Sequence, residues 1–488
     1  MNVSRSALIL LAGIGMAVGP VASQPAVPAG NVGFASSLLD RPDKWSGDLF
    51  KASYAFPTNS SDMSAQPWLT LDPRKPQERE AYYAAVLAYG LTAFTGDISD
   101  GCKEVANGWY HAPWMTLSFG NGPDDVAKGN IGAGREPICG LTQERPAPKG
   151  YLHASQTRDD VQSWAVGMFN QPGGHVLGRI WRNRSVADLS DMRYPEGTFI
   201  IKFLFTEASE AEVPYLKGAP MWSANIYTSF GAASRETKPM RLLQVDFAIR
   251  DKRMDAQTGW VFGTFMYANV DASTSPHWTK NLLPVGVMWG NDPGETMPAA
   301  FKEQALDPQI TKLRDQGLLF DLKRRREFGW KDRVNGPIDN PASSCLSCHG
   351  TGQVHKQENI KQFITPSARP ATDANKMLWF RNIKAGDPFV FTQDELKVLD
   401  QRAPSDVRAD WTLGRMADFV STDYSLQVRM GIETSRAYAN QQAIAAVNQL
   451  KLQAPKTFAK KLTGLDELSA GYKRESRRVE RAGTKVSP

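Results

Sequence analysis

Residues 345–349 read Cys345-Leu346-Ser347-Cys348-His349, and no other five residues constrain this chain as much. A C-x-x-C pair followed at once by histidine is the attachment pattern of a c-type haem. The two thiols add across the haem vinyl groups, and the imidazole of the adjacent His349 reaches the iron as proximal ligand. Without the histidine, the pair would equally suit a redox dithiol or half of a zinc site. The chain has four cysteines in all, and no second pair lies near enough in sequence to complete a zinc set. One motif predicts one covalently attached haem c, held by Cys345 and Cys348 with His349 on the iron. Multihaem wires and two-haem peroxidases therefore fit poorly.

The N-terminus supports an exported protein. Arg5, the apolar run from Ala7 to Gly19 and the small residues Val21-Ala22-Ser23 read as a secretory signal peptide over 1–23. The run is shorter than the roughly 20 residues a membrane span needs, and an uncleaved anchor is the alternative. Haem is attached to c-type cytochromes outside the cytoplasm, so motif and leader point together to the periplasm. There Cys102 and Cys139, left over by the haem, most simply pair as a disulfide; two separate buried thiols are the alternative. A net charge of +6 over 488 residues is modest. It suits a periplasmic redox partner with an acidic face and leaves peripheral membrane contact and oligomeric state open. With no recognition motif present, nucleic acid is not an expected partner.

Periodicity predicts an α+β chain: an antiparallel β-rich domain over 24–300, with an N-terminal arm and one helix, then a mainly helical haem-binding region over 301–488. The arm runs from 24 to about 70, rich in Pro, Ser, Gly and Asn. A helix is expected from Pro76 to Leu91, with proline at its start. Trp164 to Phe169 and Val176 to Trp181, flanking Asn170-Gln171-Pro172-Gly173-Gly174, read as a hairpin. Thr198 to Phe205 reads as a strand. In Met240 to Arg250, Leu243, Val245, Phe247 and Ile249 alternate with polar or small residues, predicting a strand with one buried face. Gly259 to Tyr267 is its expected antiparallel neighbour. Further on, helices are expected over Ile310 to Arg326 and Thr434 to Leu452, and a capping box at Thr392 to Glu395.

The sixth iron ligand would separate electron transfer from ligand chemistry. Met377, in an aromatic stretch, is the candidate distal ligand, with Met416 the other; either would otherwise be core filler. His111, His153, His175 and His277 are loop candidates for a distal ligand or proton donor. His355 lies too close to His349 to reach the opposite face. The basic run Lys323 to Arg326, with Arg333, could pair with haem propionates, or simply cap a helix end.

Through Cys345, Cys348 and His349 the chain resembles c-type cytochromes. More broadly it is similar to a group of large, exported bacterial monohaem proteins, through Tyr110-His111-Ala112-Pro113-Trp114, Thr258-Gly259-Trp260-Val261-Phe262-Gly263, Trp289-Gly290-Asn291-Asp292-Pro293 and Asn340-Pro341-Ala342-Ser343-Ser344. A weaker likeness is to the small β-sheet c-type cytochromes that oxidise hydroxylamine or bind nitric oxide. In that family antiparallel strands precede a late C-x-x-C-H, and a strand lysine can crosslink to the haem. Pro195 to Lys202 and Thr258 to Phe265 are similar in character and order, and Lys202 would be the matching lysine. Three roles follow: a periplasmic electron carrier, a five-coordinate haem oxidoreductase or sensor for a small nitrogenous ligand, or a protein whose haem is structural.

Overall fold

The alternation in Met240–Arg250 becomes the centre of a sheet. In the computed structural model, β5 (Arg235–Arg250) pairs antiparallel with β3 (Phe199–Thr206) on one side and β6 (Trp260–Tyr267) on the other. β1 (Thr142–Gln143) and β2 (Ser163–Phe169) extend the sheet beyond β3, and β7 (Leu282–Met288) and β8 (Gln304–Leu306) extend it beyond β6. β4 (Met221–Tyr227) pairs with the first half of β5. The structure describes residues 34, 41–115, 135–184, 186–232, 234–270, 277–356, 372–389, 391, 394–395, 419–436 and 439. The expected signal peptide, Met416 and most of the Thr392 and Thr434 segments lie outside them. Among the described residues no helix is long and apolar enough to cross a membrane.

Both faces of the sheet are covered, not one. Leu243, Val245, Phe247 and Ile249 bury fully against α1 (Arg79–Leu91), which follows a single 3-10 turn at Pro76–Glu78. Tyr82 and Tyr83 of α1 meet Phe247 and Phe265 at ring separations of 6.4 and 5.9 Å. The helix comes so close at Gly90 that a Cβ there would lie 2.2 Å from Ile201 Cδ1. On the opposite face Phe169, Ala248, Phe262 and Met288 form a second core with Leu346, Tyr424 and Val428, which arrive from the C-terminal segment. Period-two patterning reports one apolar face reliably; it cannot report that the mixed face is covered by distant chain.

Two local expectations are corrected. The second arm of the expected hairpin is a helix, α2 (Gln171–Ile180). Asn170 caps it, its side chain accepting from Gly173 N, and Pro172 sits in the first turn, where a missing N–H costs nothing. The glycines that suggested a turn serve packing instead: a Cβ on Gly174 would meet the Tyr110 ring at 2.2 Å. The helix expected over Ile310 to Arg326 is only α3 (Pro308–Asp315), capped by Asp307 and followed by Gly317 at φ +73°. Beyond it lie the haem-motif turn α4 (Cys345–His349) and a small antiparallel pair, β9 (Gln353–His355) with β10 (Phe419–Ser421). Helix α5 is described over 426–436, beginning earlier than Thr434. Ser425 stands at its head, its hydroxyl accepting from Val428 N at 3.2 Å.

Candidate haem site

Cys345 to His349 form one short helical turn because Ser344 and Ser347 cap it reciprocally. Ser344 Oγ accepts from Ser347 N at 3.0 Å, and Ser347 Oγ accepts from Ser344 N at 2.8 Å. Ser344 Oγ also donates to Asn291 Oδ1 at 2.8 Å, tying the cap to the loop after β7. Leu346, fully buried, pegs α4 into the second core, while both thiols stay partly exposed and unpaired with each other. Burial pushes both thiols up, Cys348 to about 12, so they are held as thiols rather than as thiolates. A redox dithiol is normally activated the other way.

The lead-in loop is held by two buried arginines. Arg325 donates to the carbonyls of Phe328, Gly336 and Pro337, and Arg333 to those of Asn291, Asp292 and Glu295. The Arg333 guanidinium is also packed over the Phe301, Trp330 and Phe380 rings at 4.4 to 5.0 Å. Both cations thus donate to backbone carbonyls, Arg325 within the lead-in loop and Arg333 across to the loop after β7, while Lys323, Arg324 and Arg326 are exposed.

His349 is oriented from across the chain. Its Nδ1 donates to Tyr424 O at 2.9 Å, and its ring packs on Phe262 at 4.8 Å. Burial draws its pKa down to about 4, keeping the imidazole neutral. With Nδ1 carrying the proton, the Nε2 lone pair is free to ligate a metal, the arrangement that fixes tautomer and direction in metal-bound histidines. The acceptor carbonyl is itself built in. Asp423 and Tyr424 both have positive φ, +48° and +66°. The fully buried Asp423 carboxylate accepts from Tyr194 N at 2.8 Å and from Trp260 Nε1 and Gly386 N at 3.0 Å.

Opposite α4, one row of paired residues crosses the sheet: Gly167, Lys202, Asp246, Thr264 and Gly286. Paired residues on neighbouring strands share a face, so this row lies on the covered side. Its ends are roofed, since a Cβ on Gly167 would strike Gln427 of α5 at 1.9 Å and one on Gly286 would meet Val334 at 2.9 Å. Its middle is open: Lys202 and Asp246 form an ion pair at 3.0 Å with side chains 20% and 22% exposed. Burial is the largest influence on Asp246, Cys348 and His349, whereas at Lys202 the surrounding carboxylates outweigh it and hold its pKa well above the usual lysine range; these groups share a partly open recess on that face. The charge of Lys202 is felt at Cys345, Cys348 and His349. No family model, curated protein or solved structure matches this chain.

The residues fit a covalently held haem: two free thiols and a pre-oriented imidazole lie on a single capped turn. The other candidates are engaged elsewhere. Met377 Sδ lies 3.8 Å from the Arg333 guanidinium, beside the aromatic cluster of Trp330, Trp379 and Phe380. His111 is buried, its Nδ1 accepting from Ser53 N, and desolvation holds it well below its ordinary pKa. His153 Nδ1 accepts from Ser155 N, His175 sits on α2 beside Pro57 O rather than in a loop, and His277 pairs with Asp97 at 3.0 Å. Among the described residues none of these contacts reaches α4. Cys102 and Cys139 are joined as a disulfide. Asp423 and Tyr424 escaped sequence reasoning; their only local signal is the polar run Ser421-Thr422-Asp423 before a helix.

Proposed function

We propose that the protein is an exported monohaem c-type cytochrome acting in periplasmic electron transfer or haem-based redox chemistry. Cys345 and Cys348 carry the thioether bonds and His349 is the proximal ligand. In this reading the leader over 1–23 directs export, and the region over 301–488 is a mainly helical haem-binding part laid on the sheet domain. The observation that carries it is the 2.9 Å hydrogen bond from His349 Nδ1 to Tyr424 O, which leaves Nε2 for iron. When bound, the haem supplies an iron that takes up and returns one electron. The chain's own task is to hold that iron's ligand in one tautomer and to bury the attachment turn beneath α5 and the lead-in loop.

A second reading is a five-coordinate haem acting on a small nitrogenous ligand such as hydroxylamine or nitric oxide. Two observations favour it: Lys202 stands on the sheet face that meets α4, and the Met377 thioether is turned to Arg333. The pyridine haemochrome and the reduced spectrum with carbon monoxide test both readings. Thioether-bound haem is expected in the wild type and incomplete attachment in Cys345→Ser or Cys348→Ser. An unchanged spectrum in those variants would overturn the haem reading. No carbon monoxide shift would support a six-coordinate electron carrier, and a shift would support the open iron site.

A further inference from the structure

Lys202 stands among three carboxylates, of which Asp339 also has Arg145 and Arg325 beside it. Lys202 pairs with Asp246, but the carboxylates of Glu144 and Asp339 also act on it. Gln244 Nε2 donates to Asp246 Oδ1 at 2.7 Å and to Asp339 Oδ2 at 3.0 Å, so one amide draws these two carboxylates together. Glu144, just after β1, accepts no side-chain hydrogen bond among the described residues. Glu144 and Asp246 share the single ammonium of Lys202 in a partly dry recess, which favours binding a proton. The partial exposure of Lys202 and Asp246 gives that proton a way in from water.

We propose that Glu144 and Asp246, assembled with Asp339 by Lys202 and Gln244, form a proton-exchange site coupled to electron gain at the haem. When an external one-electron donor reduces the iron from the ferric to the ferrous state, one carboxylate takes one proton from solvent and becomes a carboxylic acid. Reoxidation releases it. The inference rests on the haem reading and goes beyond it, because neither an electron carrier nor a ligand-binding haem requires a proton site. Burial already raises both Glu144 and Asp246 toward protonation, opposed by the charge of Lys202. An added electron in the same recess raises proton affinity further, since Coulomb interactions are strong where water is scarce.

The other charged and titratable groups around the recess are accounted for. From α4 come Cys345, Cys348 and His349, which the haem consumes. From α5 comes Arg429, whose charge acts on Cys348, and beyond Asp339 lie Arg145 and Arg325. Guanidinium groups keep their proton in proteins, so the exchangeable proton belongs to the carboxylates.

The test is the midpoint potential of the haem-loaded protein as a function of pH, measured by spectroelectrochemistry for the wild type, Glu144→Gln and Asp246→Asn. Haem content is checked by pyridine haemochrome and folding by near-ultraviolet circular dichroism. In the wild type the potential should fall as pH rises, approaching about 59 mV per pH unit, the value of a tenfold change for a one-electron couple. The isosteric variants should flatten that slope with haem content unchanged. A pH-independent potential in loaded wild type, or a slope kept in both variants, overturns the proton site and leaves the haem reading standing. Absence of thioether-bound haem overturns both.

Discussion

Asp423 is what fixes the carbonyl that orients His349. Two successive non-glycine residues in the left-handed region cost roughly 1–2 kcal/mol each, and tyrosine tolerates it worse than aspartate. The three N–H donors on the Asp423 carboxylate offset that cost and aim the Tyr424 carbonyl at His349. Asp423→Ala should leave three buried donors unpaired, at about 1–3 kcal/mol each before relaxation. Urea denaturation should show the loss, and the midpoint potential should move as His349 loses its fixed acceptor. Asp423→Asn, which keeps one side-chain oxygen, should recover part of both. A potential unmoved in the destabilised alanine variant would mean that Asp423 serves the fold alone.

At the scale of elements, α2 shows how one motif can serve two structures. Asn-Gln-Pro-Gly-Gly suits a turn by composition, yet Asn170 also makes an N-cap and Pro172 a first-turn residue. Tertiary contact decides between them: Asn170 Oδ1 accepts from Phe199 N at 2.9 Å, and Gly174 lets Tyr110 lie against the helix. Gly174→Ala should therefore destabilise, although alanine is the better helix former. Overpacking of this kind costs about 1–3 kcal/mol, more than the gain in propensity of about 1 kcal/mol. Chemical denaturation gives the sign directly, and a stabilised variant would show that the Tyr110 ring can move aside. The same competition shortens α3, where Gly317 at φ +73° stops a helix that charge and composition would have carried on to Arg326.

Among the described residues the fold is a sheet with a core on each face, and covalent and polar ties draw in its long connections. The Cys102–Cys139 disulfide, spanning 37 residues, is one of them. In the chain-entropy model such a closure contributes about 4 kcal/mol, so replacing both cysteines by alanine should lower the melting temperature, as should reductant on the wild type. A reductant-insensitive melting curve would count against the bond. Strand β5 was legible because a period of two is written in adjacent residues and needs no partner to be seen, and β3 because a β-branched and aromatic run is equally local. The turn proposed to carry the haem was legible for the same reason, its motif being spelled by five consecutive residues. Other features depended on chain brought from afar: Tyr424 O lies 75 positions from His349. The row that sets Lys202 beside Asp246 exists only once β3 and β5 are in register. The linear sequence alone determined what chemistry residues 345–349 could carry and where the sheet's apolar face would run. Only tertiary structure decided what holds the histidine, what covers the other face and which charges share the recess, because hydrogen bonds and burial join groups by distance in space rather than along the chain.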